Sequence, residues 1–234
     1  MDRELQRFEP ATLYYIRQHA EFGTWVYIDD DSYNVGLDLL QRYSQRYHVP
    51  VHAYCLMPDH LHLLLESPGR RGIPEMMRDM LGTYSKYMNT RYRERARNAR
   101  RFATTGDYFG FDEPDGSIWN WQRKYGFSKV AWPLSDVVTR FIETEPVRAA
   151  EAATAQEYTW SSAQARIQGR CRRGLLSFER PHSTVHDWTA FHALPDHHPA
   201  AQATTVAAMV EGARRRMALD LVLEEREREA CVTA

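Results

Sequence analysis

The run from Val51 to Glu66, VHAYCLMPDHLHLLLE, constrains this chain more than any other stretch of it. Two apolar arms flank Pro58 and Asp59. Proline has no backbone donor, and aspartate bonds to its own backbone in turns, so the pair punctuates the run. Val51 to Met57 and His60 to Glu66 therefore predict two strands joined as a hairpin, closed by Ser67-Pro68-Gly69. A lone hairpin is marginal in water, so other elements must cover it.

Those elements are legible on both sides. Thr12 to His19, TLYYIRQH, is aromatic and β-branched and predicts a strand. Asp29 to Ser32 supplies helix-starting residues, and Val35, Leu39, Leu40 and Tyr43 then recur at a helical period over Tyr33 to Tyr47. His48-Val49-Pro50 stops that helix. Ile73 to about Arg95 predicts a longer helix, with Pro74 in its first turn and a core-facing stripe through Met76, Met80, Tyr84, Tyr87 and Met88. Trp119 to Trp132 should contain a further strand. Ser135 to Glu145 predicts a short helix with Val137, Val138, Phe141 and Ile142 on one side and a stop at Pro146, and another helix is expected around Tyr158 to Gln168. The order strand, helix, strand, strand, helix, strand gives an α+β fold, an antiparallel sheet with packed helices close to the split βαβ arrangement. Beyond Gly169 the pattern weakens. Ala200 to Glu229 regains helical propensity, so residues 169–234 are expected to form a partly helical C-terminal extension.

Composition excludes more than it suggests. A hydrophobic fraction of 43% fits a globular chain, and a net charge of -1 carries no global nucleic-acid signal. The charge is uneven, however. Arg91, Arg93, Arg95, Arg97, Arg100 and Arg101 face a single acid, Glu94, and lead into a segment with Gly106, Gly110, Pro114 and Gly116. This reads as an exposed basic helix end followed by a long loop, about 96–118, whose arginines could hold phosphates while nearby aromatics stack on unpaired bases. The plainer reading is a solvated helix end. Cys55, Cys171 and Cys231 form no CxxC pair, which fits free thiols in a reducing cytoplasm. A charged N-terminus and the lack of an apolar run near 18 residues predict neither export nor membrane spanning.

His60 and His62 are the sharpest chemical signal. Side chains at i and i+2 of a strand share a face, so the two imidazoles can ligate one divalent ion. Alternatively, His60 belongs to the turn and His62 to an ordinary surface. Leu61, Leu63 and Leu65 face the other way, and Leu64 interrupts the polar face as in a half-buried strand. Glu145 is a candidate third ligand, with Phe141 four residues earlier on the same helix face. A tyrosine at 141 would be a nucleophile beside the ion, but phenylalanine has no oxygen. Phe141 also fits a purely apolar stripe. Tyr84, Tyr87 and Tyr92 are other tyrosines to consider, although a core role suits Tyr84 and Tyr87 better. His182, His186, His192, His197 and His198 have no compact ligand spacing and are assigned no metal.

Four ordered motifs resemble a known family. VHAYCLMPDHLHLLLESP, LGTYSKYMNTRY, WQRKYGFSKV, and FIETEPVRA followed by YTWSS are similar to motifs of the REP-associated branch of single-tyrosine HUH transposases. The resemblance spans about residues 10–168, with the basic loop inserted at about 96–118. It implies a ferredoxin-like sheet with helices, bound magnesium or manganese, and recognition of DNA hairpins with single-stranded flanks. His60 and His62 match the family's metal ligands. Glu145 matches the third-ligand position, usually an amide. Phe141 matches the nucleophile that links covalently to a cleaved strand. Arg123 and Lys124 in WQRK join the arginine run as candidate DNA contacts. The expectation is a DNA-binding transposase-like protein with impaired cleavage. The rival readings are an active strand nuclease using Tyr84, Tyr87 or water, and a non-catalytic DNA or RNA hairpin-binding regulator. A homodimer stays open.

Overall fold

The computed structural model describes residues 8–21, 25–102, 121–169, 171, 174–178 and 183–195. Four strands, β1 (Thr12–His19), β2 (Val51–Met57), β3 (His60–Ser67) and β4 (Gly126–Val130), form one sheet in the order β2-β3-β1-β4. Every neighbouring pair is antiparallel. Helix α1 (Asp30–Arg46) joins β1 to β2, and β3 lies between those strands, which is the split βαβ topology expected from the sequence. Helix α2 (Gly72–Phe102) joins β3 to β4. The ferredoxin-like α+β reading is borne out.

Local chemistry explains the element ends. Asp29 caps α1: its Oδ1 accepts from the Ser32 amide at 3.0 Å, and Ser32 Oγ accepts from the Asp29 amide at 3.1 Å. Asp30 and Asp31 add negative charge at the positive end of the helix dipole. Helix α2 runs further than expected. Residues 96–102, read from the sequence as the start of a loop, continue the helix to Phe102. Arginine is a good helix former, and no glycine or proline occurs between Gly82 and Gly106 to break the helix. The rest of the expected inserted loop lies outside the described residues, as does the expected helix from Ala200 to Glu229.

Both faces of the sheet are covered. On one, Ile16, Leu61, Leu63 and Leu65 pack under α1 and α2 against Leu37, Leu40, Met76, Met80 and Tyr84. On the other, Leu13, Tyr15, Cys55 and Leu64 meet Val137, Val138 and Ile142 of helix α3 (Ser135–Glu143). The expectation of a half-buried β3 is corrected here: α3 covers the second face, and Leu64 is fully buried.

The expected single helix Ser135 to Glu145 is two helices. Helix α3 ends at Glu143, the chain turns at Thr144, and α4 (Glu145–Arg148) follows. Pro146 has no amide to bond back into α3, so it opens the second helix instead of ending the first. The expected helix around Tyr158 to Gln168 is shorter, α5 (Ala163–Ile167). Further on, the Ser177 amide donates to the Val51 carbonyl at 2.8 Å, and α6 (Trp188–Ala193) packs near α3 and α5.

Candidate functional site

β3 leaves the Pro58-Asp59 turn with His60 and His62 on the α3 face. Their cross-strand partners are His19 and Arg17 on β1, and Met57 and Cys55 on β2. The two imidazole rings lie 4.8 Å apart and nearly perpendicular. Glu145 enters from the first turn of α4. Its Oε1 stands 3.8 Å from His60 Nε2 and 3.9 Å from His62 Nε2. These separations are too long for hydrogen bonds. They suit donors around one divalent ion, which stand about 3–4 Å apart when each is about 2.1 Å from the metal.

Two further observations fit that ion. The Nε2 atoms of His60 and His62 are buried and have no hydrogen-bond partner among the described residues. Native structures rarely bury such groups unsatisfied. The other ring nitrogens are held: His60 Nδ1 is 2.6 Å from Asp59 Oδ1, and His62 Nδ1 is 2.6 Å from Tyr15 Oη. With a proton on each Nδ1, the rings would donate to these oxygens and leave both Nε2 lone pairs on the Glu145 side. Outer partners of this kind orient metal-binding histidines. Cys55 is the Cα partner of His62, but burial pushes its thiol well above the ordinary range, so it stays protonated.

The charges are coupled. Burial lowers the His62 imidazole, and repulsion from His60 lowers it further, keeping it neutral. Burial also opposes charge on His60, but Asp59 and Glu145 outweigh it and raise its pKa. Burial alone would raise the Glu145 carboxyl, yet His60, His62 and Arg148 hold it well below the usual carboxylate range. Arg148 pairs with the second carboxylate oxygen of Glu145. It also donates to Thr144 Oγ1 at 2.6 Å and to the Phe141 carbonyl at 2.5 Å, with its guanidinium 4.2 Å from the Phe141 ring centre. Arg148 thus fixes how Glu145 faces the histidines.

The Phe141 ring lies 6.1 Å from the His62 ring and 6.2 Å from the Tyr15 ring, edge-on to both. Phe141 and Glu145 therefore meet at one site although they sit on different helices. Tyr84 and Tyr87 do not reach it. Tyr84 belongs to the opposite face of the sheet, where its hydroxyl donates to the Val26 carbonyl at 2.7 Å, and Tyr87 packs beside it. Tyr92 is on α2 as well.

The sequence reading missed the support behind α3. Glu143 is fully buried. Its Oε1 accepts from Ser162 Oγ at 2.5 Å and Arg166 Nε at 2.8 Å, and its Oε2 lies 2.7 Å from His192 Nε2. Burial raises this carboxyl, but Arg166, His192 and Ser162 outweigh it and bring its pKa to about 2. The Trp160-Ser161-Ser162 stretch meanwhile runs along the free edge of β2: the Leu56 amide donates to the Trp160 carbonyl at 3.0 Å, and the Ser162 amide to the Tyr54 carbonyl at 3.0 Å. The network therefore ties α3 to the sheet edge and to α6. Polar residues at alternate positions of β1, Tyr15, Arg17 and His19, were the available signal for the site's other neighbours.

The basic residues are more dispersed than the sequence suggests. Both terminal nitrogens of Arg91 contact Asp29, at 2.7 and 2.5 Å, so this arginine ties α2 to the cap of α1. Arg93 and Arg97 are exposed on α2, and Arg123 and Lys124 are exposed ahead of β4. The side chains of Arg95, Arg100 and Arg101 lie outside the described residues. No described helix is long and apolar enough to cross a membrane.

Residues 26–112 match the protein family described as Transposase IS200 like, a span that holds His60 and His62 but ends before Phe141 and Glu145. Over those residues the match agrees with the transposase-family resemblance read from the sequence. Among solved structures, it is similar to a REP-associated tyrosine transposase bound to a REP hairpin, at 9% identity and a TM-score of 0.52. That likeness covers 80% of this chain and 96% of the other, and it concerns the fold. A candidate transposase from Deinococcus radiodurans R1 is 18% identical over 57% of this chain and 89% of its own, with a TM-score of 0.36. No curated protein matches.

Proposed function

We propose that this chain binds DNA hairpins with single-stranded flanks on a transposase-like fold, with the help of a divalent cation, and that Phe141 leaves tyrosine-mediated strand cleavage without its nucleophile. The observation that carries this reading is the pair of buried, unpartnered Nε2 atoms facing Glu145 beside the Phe141 ring. His60, His62 and Glu145 would hold magnesium or manganese, both compatible with a site that includes a carboxylate. A bound ion would polarise a phosphodiester oxygen. Asp59, Tyr15 and Arg148 keep the three ligands oriented. All of these groups come from one chain, so the site needs no second copy. The relative bound to a REP hairpin supports a DNA hairpin as the partner. Arg93, Arg97, Arg123 and Lys124, with Arg95, Arg100 and Arg101, would hold the phosphates, and Arg91 would act from its place on Asp29. Residues 10–168 form the DNA-binding domain in this reading, with 169–234 as its extension. Free thiols at Cys55 and Cys171 fit a cytoplasmic protein.

The test is fluorescence anisotropy with a labelled hairpin, with and without a single-stranded flank, in manganese or in chelator. The flanked hairpin should bind more tightly with manganese. Replacing Arg93, Arg97, Arg123 and Lys124 by glutamine should flatten the salt dependence by about one unit of slope for each phosphate no longer neutralised. Equal affinity for an unrelated duplex, with no effect of manganese, would refute the reading.

A further inference from the structure

The donor set at the candidate metal site narrows the ion it can take. Two of its three donors are imidazole nitrogens, and the third is one carboxylate oxygen. Arg148 holds the second oxygen of Glu145, so this carboxylate meets the histidines with Oε1 alone. Magnesium prefers oxygen ligands in near-ideal octahedral geometry and gives up its water reluctantly. Imidazole suits zinc and the other late first-row ions, and two histidines with one glutamate form a set that holds catalytic zinc.

Burial and spacing point the same way. The His60, His62 and Glu145 side chains are 9%, 1% and 18% exposed, so an entering ion must shed water on the protein side. The Tyr15 and Phe141 rings lie 5.7 and 6.1 Å from the His62 ring, and Tyr15 Oη is engaged by His62 Nδ1. Those two side chains therefore bring no further oxygen ligand. Glu145 Oε1 stands 3.8 and 3.9 Å from the two Nε2 atoms. Donors about 2.1 Å from a tetrahedral ion are about 3.4 Å apart, and those at neighbouring corners of an octahedron about 3.0 Å apart. The tetrahedral arrangement needs the smaller closing. Asp59 on His60 Nδ1, at 2.6 Å, is the carboxylate–histidine pairing that makes an imidazole a stronger ligand.

We propose that His60, His62 and Glu145 form a site selective for late first-row divalent ions, zinc foremost, over magnesium, with one coordination position left for a ligand from outside the chain. The inference rests on the cation site proposed above and narrows the ion it takes. Magnesium is compatible with the carboxylate but makes poor use of the two imidazoles, and manganese stands between the two ions.

The experiment is a competition on the full chain. The chain is stripped of metal with chelator and loaded with manganese, and displaced manganese is followed by electron paramagnetic resonance. Zinc should release the manganese at about one ion per chain, whereas about a 100-fold excess of magnesium should leave most of it bound. Cobalt, a spectroscopic stand-in for zinc, should give the strong visible absorption of a four-coordinate ion. His60→Asn puts an amide in place of one imidazole at the rim, and with folding checked by circular dichroism it should lose most of the preference for zinc. Release by magnesium as readily as by zinc would overturn the selectivity and leave the cation site standing. Zinc uptake that leaves manganese bound, or an equal preference for zinc in His60→Asn, would place the zinc elsewhere and overturn it too. The faint cobalt spectrum of a six-coordinate ion would overturn the single open position. Uptake of neither manganese nor zinc would overturn both readings.

Discussion

The two faces of strand β3 are built to opposite rules. Leu61, Leu63 and Leu65 enter an apolar cluster closed by α1 and α2, in which Tyr27 and Tyr84 are buried as well. His60 and His62, one residue out of phase on the same strand, enter a face where α3 and α4 bring a carboxylate and a guanidinium among the apolar groups. Each buried leucine contributes about 1.5–3 kcal/mol. Each unsatisfied Nε2 opposes folding by about 1–3 kcal/mol. The first face therefore makes the fold, and the second buries polar nitrogens at a local cost in stability that the proposed cation would offset. Departures of this kind from an otherwise consistent core mark functional ground.

The largest expected effect bears on the polar face alone. Phe141→Tyr adds one oxygen to a ring that already sits 6.1 Å from the His62 ring. With hairpin DNA and manganese, the variant should form a covalent adduct on a denaturing gel, and the parent chain should form none. Equal adduct from both would identify another nucleophile. No adduct from either, with DNA binding intact, would mean that more than the hydroxyl is missing.

Glu143→Gln tests the support behind that face. It leaves Arg166 buried without its counter-charge and should destabilise the chain by about 3–5 kcal/mol at neutral pH. The Glu143 pKa is about 2 when folded, against an ordinary 4.5. Its contribution is thus complete above about 4.5 and is lost as pH falls from there toward about 2. Denaturant titrations across that window should show an acid-dependent loss that the glutamine variant lacks. An unchanged acid profile would show that Glu143 does not carry it.

Leu63→Ala probes the other face and should cost about 2–5 kcal/mol of stability. Its manganese affinity, measured where the variant is still folded, should equal that of the parent chain. A parallel loss of metal binding would mean that the two faces are not separable.

Much of this arrangement was legible in the sequence. The Pro58-Asp59 turn and the residues around it set the bounds of β2 and the start of β3, and alternation put His60 and His62 on one face. The misses share a cause. Tyr15 reaches His62 across 47 residues, Arg91 reaches Asp29 across 62, and His192 reaches Glu143 across 49. No local period encodes pairings at such separations. The break at Thr144 was misread because Pro146 can either end a helix or begin one, and spacing does not decide which.

The central claim is that His60, His62 and Glu145 hold a divalent cation, and a manganese titration tests it most directly. Followed by electron paramagnetic resonance at neutral pH, the chain should take up a single ion at this site. A joint His60→Ala and His62→Ala substitution should abolish the uptake, and Glu145→Ala should weaken it. Manganese at about 100 times its Kd should also raise the unfolding free energy by about 2.7 kcal/mol in the parent chain only. Undiminished uptake by the double-alanine variant, or no uptake by the parent chain, would contradict the account.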